Sequence, residues 1–71
     1  MKYIVIDELK NDMFTNEYET KEKAVKAAGQ EWGRLTESDK KRRVAFYVLE
    51  SVNPDEDAEN HFDGDVVKSY K

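Results

Sequence analysis

The chain has no cysteine, one proline, one histidine and three glycines in 71 residues. Without cysteine there is neither a disulfide framework nor a thiolate metal site, which agrees with a reducing compartment. Gly29, Gly33 and Gly64 stand too far apart to form the closely spaced pair or triplet whose amides surround a phosphate, so nucleotide enzymes are excluded as a class. A long hydrophobic run is missing too. Neither Tyr3 to Ile6 nor the longer run Val44 to Leu49 approaches the roughly 18 residues a membrane-crossing helix needs, and too little apolar sequence follows Lys2 for a signal peptide. The expectation is a cytoplasmic protein that does not meet a membrane.

What is present is charge: 16 acidic against 12 basic side chains give a net charge of −4, and 39% of the chain is charged. Such a composition alone would suit a disordered chain, but the aromatic content and two patterned apolar segments argue for a folded one. With no linker or repeat, residues 1–71 form a single small domain. Cores of this size rarely supply more than ~3–5 kcal/mol of net stability.

Lys2 to Leu9 is rich in β-branched and aromatic residues and reads as a strand, with Tyr3, Val5 and Leu9 on one face and Ile4 and Ile6 on the other. Lys10, Asn11 and Asp12 offer a turn. Beyond them Phe14, Asn16 and Tyr18 alternate with Thr15, Glu17 and Glu19, a pattern compatible with a second strand returning as a hairpin. Thr20 has the hydroxyl of a helix N-cap and good helix formers follow it. At 100° per residue, Ala24, Leu35, Ala28, Trp32 and Val25 fall in a stripe roughly 100° wide, which predicts a helix from Thr20 to an interruption at Gly33, with Trp32 as core anchor. Thr36 to Asp39 has the spacing of a second helix start. Lys40, Lys41, Arg42 and Arg43 suit the C-terminal end of that turn.

From Arg43 to Val52 both faces of a strand are apolar, Val44, Phe46, Val48 and Val52 on one and Ala45, Tyr47 and Leu49 on the other. Two apolar faces indicate a strand inside a sheet rather than at a wet edge. Asn53 and Pro54 end it, an acidic loop occupies about 53–64, and Asp65 to Tyr70 makes a last strand. The expected class is α+β: three or four mostly antiparallel strands with one main helix on one face, in the order β-(β)-α-β-β.

The stretch from Glu31 to Glu50, with Thr20 and the alanine-spaced helix before it, resembles short uncharacterised bacterial proteins, some of them mobile-element encoded. The resemblance covers roughly residues 20–52 and rests on a helix-to-strand packing pattern. It implies no activity and no site residue.

Chemistry has few candidates. Any nucleophilic triad must pass through His61, which lies in a polar loop where a catalytic base is poorly held, and no nucleophile-elbow pattern surrounds Ser38, Ser51 or Ser69. Seven carboxylates between Glu50 and Asp65, with no cation among them, invite a divalent ion. The spacing argues against it: counted from Asp55 the sixth-position glycine of the calcium loop is missing, and counted from Glu59 the twelfth position is Tyr70 instead of glutamate. The expectation is no enzyme, no cofactor and no metal.

Interaction is what remains. If one helix with a small-residue stripe covers one face of the sheet, an apolar face around Tyr47 and Leu49 is left over for self-association or a protein partner, unless residues 10–19 or the loop at Ala58 and Phe62 fold across it. The basic run Lys40, Lys41, Arg42 and Arg43 offers the alternative of nucleic-acid contact, with bases stacked on Tyr3, Tyr47 and Tyr70 if these share a face. The net charge of −4 opposes that approach.

Overall fold

The computed structural model describes residues 2–51 and 64–71. The elements run β1 (Lys2–Leu9), β2 (Met13–Tyr18), α1 (Lys21–Arg34), α2 (Glu37–Arg42), β3 (Arg43–Ser51) and β4 (Gly64–Ser69). The strands form one antiparallel sheet in the order β2-β1-β3-β4. This is the α+β arrangement expected, with residues 13–18 forming the second strand. Val52, the acidic loop and His61 lie outside the described residues.

The β1–β2 turn closes on a bond from the Leu9 N–H to the Asp12 carbonyl at 2.7 Å. At the start of α1 the Lys23 N–H donates to the Thr20 hydroxyl at 3.2 Å, which satisfies one of the free amides of the first turn. The helix does not stop at Gly33, where a side chain would meet nothing within 4 Å; it continues to Arg34 and ends as the Leu35 N–H bonds back to the Trp32 carbonyl. Thr36 caps α2 by accepting from the Asp39 N–H at 3.2 Å, and its hydroxyl donates to the Asp39 carboxylate at 3.0 Å.

Ala24 and Ala28 are wholly buried against Val5, Phe46 and Val48. Their small side chains let the helix backbone come close to the sheet. At Gly29 an added Cβ would lie 3.3 Å from the Tyr70 hydroxyl, which itself donates to the Val25 carbonyl at 3.1 Å. Glycine here leaves room for the close approach of the Tyr70 hydroxyl to the helix backbone. Around this contact Trp32, Phe46 and Tyr70 form an aromatic cluster with ring centroids 5.3 to 6.2 Å apart. Trp32 anchors its corner of the core as expected, although its ring is only partly buried.

Opposite the helix, Ile4, Ile6 and Leu49 make a second buried cluster, with Tyr47 packed against it. The register explains the grouping, since Ile4 pairs with Leu49 and Ile6 with Tyr47 across β1 and β3.

Two irregularities shape β3 and its neighbours. Glu8 pairs with Ala45 but Leu9 pairs with Arg43, so Val44 is an extra, unpaired residue; it is 57% exposed. Between β3 and β4, Val48 pairs with Lys68 and Leu49 with Val66, which leaves Val67 as the extra residue. Val67 turns to the helix-side cluster. At the head of β4 only glycine fits, because a Cβ at Gly64 would collide with the Glu50 carbonyl.

Candidate functional site

The four basic residues at the end of α2 do different things. Arg43 is taken up by the core: its Nε and one terminal nitrogen donate to the two carboxylate oxygens of Asp7 at 3.1 and 3.3 Å, and the other donates to the Asp39 carbonyl at 3.1 Å. The side chains of this pair are 15% and 8% exposed. A bidentate, nearly dry ion pair of this kind holds α2, β1 and β3 in one arrangement.

Simple alternation puts Arg43 on the face of Ala45 and Tyr47, away from Asp7. The extra residue Val44 reverses that parity and brings Arg43 onto the face where Asp7 lies beside Phe46. Sequence reading missed Asp7 because its partner lies 36 residues away and the bulge breaks the period that would have predicted the contact.

Lys40 is occupied as well, its ammonium lying 5.1 Å from the centre of the Trp32 ring. Lys71 donates to the Lys40 and Lys41 carbonyls at 2.7 and 3.4 Å and so closes the free end of α2. Lys41 and Arg42 remain outward, Arg42 with a loose ion pair to Asp39 at 3.9 Å. These two, together with Lys10 and Asn11 of the β1–β2 turn, line an open groove of about 490 Å3. Asp12 lines the same groove, so its charge is mixed.

The condition for an aromatic platform, that Tyr3, Tyr47 and Tyr70 share a face, is not met. Tyr3 and Tyr70 pack on the helix side, whereas Tyr47 belongs to the opposite cluster. Nor is the second face the open apolar patch expected, since Leu49 is 4% exposed, Ile6 0% and Ile4 2% within the single chain. Of the segments considered as covers, residues 13–18 lie beside β1 as a strand of the same sheet instead of crossing the face, and Ala58 and Phe62 lie outside the described residues.

Exposed apolar side chains are found elsewhere. Met13 is 41% exposed and Phe14, Val44 and Val66 are each 57% exposed. Two of these four lie in β2, where every residue but Tyr18 is exposed.

Two phenols are raised above the ordinary tyrosine value. At Tyr3 the chief cause is the hydrogen bond its hydroxyl donates to Glu50 at 3.0 Å, followed by burial and by the Glu50 charge. At Tyr47 burial leads, and the Glu8 charge adds to it. Both are held neutral, and neither is poised to exchange a proton near neutral pH.

Among the described residues, no three metal-ligating side chains converge, and no helix is long and apolar enough to cross a membrane. No family model, curated protein or solved structure matches this chain.

Proposed function

We propose that the protein is a non-enzymatic interaction module of an acidic kind, acting by association with itself or with another protein through its sheet. The observation that carries this reading is the exposure of Met13 and Phe14 on an outer strand. A chain that buries Ile4, Ile6, Val5 and Val48 almost completely places its remaining large apolar groups where another backbone can reach them. Tyr47 and Leu49 lie on β3, on the face opposite Phe14, and are not part of that surface. Light scattering from micromolar to millimolar protein tests the reading, alone and after Phe14→Ser. Concentration-dependent mass that the substitution lowers supports it; a strict monomer with no partner retained by a Phe14-dependent contact overturns it.

A second reading is favoured by one observation, the groove in which Lys10, Lys41 and Arg42 face the same space. It would accept phosphates of a nucleic acid as an accessory contact. With Lys40 and Arg43 engaged elsewhere, three cations at most contribute, and the expected binding is weak and steeply dependent on salt. A gel-shift titration with random single- and double-stranded DNA and RNA decides it. Absence of a shift at low salt excludes this reading.

A further inference from the structure

The two outer strands of the sheet are built differently. β4 carries the protections by which natural sheets avoid adding strands: an irregularity at Val67, a lysine at Lys68 and a glycine start held tightly against Glu50. β2 carries none of these. Its six residues pair with β1 in unbroken register from Glu8–Met13 to Tyr3–Tyr18, and it holds no proline, lysine, arginine or glycine. Among the described residues no strand lies beyond it, and its outer side presents a row of backbone donors and acceptors.

We propose that β2 is a self-pairing edge, and that the occupant is β2 of a second copy in antiparallel alignment about a twofold axis at Asn16. The inference rests on the interaction reading above and narrows it to one strand and one partner. A twofold axis perpendicular to the sheet brings together only residues that share a face, so the two position numbers of each opposed pair sum to an even number. Centring on Asn16 sets Phe14 opposite Tyr18 of the second copy, and Tyr18 opposite Phe14 of the second copy, on the helix side. Thr15 then faces Glu17 on the other side, and no two carboxylates are opposed.

The neighbouring alignment, centred on Thr15, sets Phe14 against Asn16 and Met13 against Glu17. It forms no aromatic pair. Cross-strand aromatic pairs stabilise a ladder where an apolar side chain opposite a charged or amide group does not. The Asn16-centred alignment is therefore the one that covers the more exposed of the edge's two exposed large apolar residues, Phe14 at 57%. It also joins two four-stranded sheets into one of eight strands, within the size that open sheets reach.

The absence of native cysteine makes the register directly readable. Asn16→Cys places two thiols opposite each other across the axis, whereas Thr15→Cys places each thiol opposite Glu17. Both positions are exposed. In a glutathione redox buffer at sub-millimolar protein, Asn16→Cys is expected to cross-link about tenfold or more faster than Thr15→Cys, because paired strands hold its thiols at high effective concentration. Phe14→Lys added to Asn16→Cys is expected to abolish that advantage. Circular dichroism of each reduced variant confirms that the fold is retained.

Faster cross-linking at position 15, or equal rates at 15, 16 and an exposed α1 control such as Lys26→Cys, overturns the proposal. Sedimentation of the unsubstituted chain separates the two levels of inference. If it associates while position 16 shows no preference, the edge register is wrong and the interaction reading stands. If it stays monomeric at millimolar concentration, self-pairing is wrong, and the broader reading is then judged by capture of another protein through Phe14.

Discussion

The two faces of the sheet are stabilised in different ways. On the helix side, small alanines, three aromatic rings, a phenol bonded to Glu50 and the pair of Asp7 with Arg43 have to fit simultaneously. The other side is a simpler aliphatic cluster of Ile4, Ile6 and Leu49, with Tyr47 against it. The first face depends on geometry contributed by several elements, and the second depends mainly on apolar area. Directional contacts specify one arrangement, while area alone tolerates repacking.

The largest expected effect separates these faces. Phe46→Ala should cost about 3–5 kcal/mol and remove the near-ultraviolet circular dichroism of Trp32, because it empties the centre of the aromatic cluster. Ile6→Ala on the opposite face should cost about 2–4 kcal/mol and leave that signal in place. Urea unfolding supplies the energies. Equal loss of the Trp32 signal in both variants would show that the faces are not independent.

Next in size is the ion pair. Asp7→Ala leaves Arg43 without its carboxylate in a nearly dry site and should cost about 3 kcal/mol. Replacing both partners, as Asp7→Leu with Arg43→Met, should restore most of that loss. If the single variant is as stable as the parent, the pair contributes no specificity to the helix face.

How much of this was legible beforehand follows from where each signal is stored. The strand at Lys2–Leu9, the cap at Thr20 and the stripe of Ala24, Ala28 and Trp32 were readable because each depends on residues within one or two turns of one another. β2 was readable only as a possibility, since Phe14, Asn16 and Tyr18 alternate without being buried. The positions of Arg43 and Val67 were not readable. Each depends on a single skipped residue, and a bulge shifts pairing without altering composition. Burial of Leu49 was missed for a related reason, since an apolar strand face looks the same in sequence whether the chain closes it or leaves it open.

The smallest effect concerns alkaline pH and contrasts one tyrosine from each face. Tyr3 and Tyr47 titrate above the ordinary value of 10.0, so the stability they contribute is complete below that pH and is lost as pH rises through their raised values. Absorbance of tyrosinate should show late-titrating phenols that unfolding abolishes. Glu50→Gln should bring Tyr3 down substantially, because the bond to that carboxylate is the leading cause. Glu8→Gln should move Tyr47 little, because burial leads there. The reverse pattern would exchange the characters assigned to the two faces.

The bulge at Val44 makes this end of the sheet tolerant of a change in residue count. Deleting this exposed residue removes almost no buried material, and by composition the change is trivial. It would also make β1 and β3 regular to their ends, with Arg43 directly before Ala45, still opposite Leu9 and still on the face of Asp7. Exchanging Val44 for serine or threonine should pass almost unnoticed. At this position both the identity and the presence of the residue are dispensable, and what the ion pair requires is that Arg43 stand opposite Leu9.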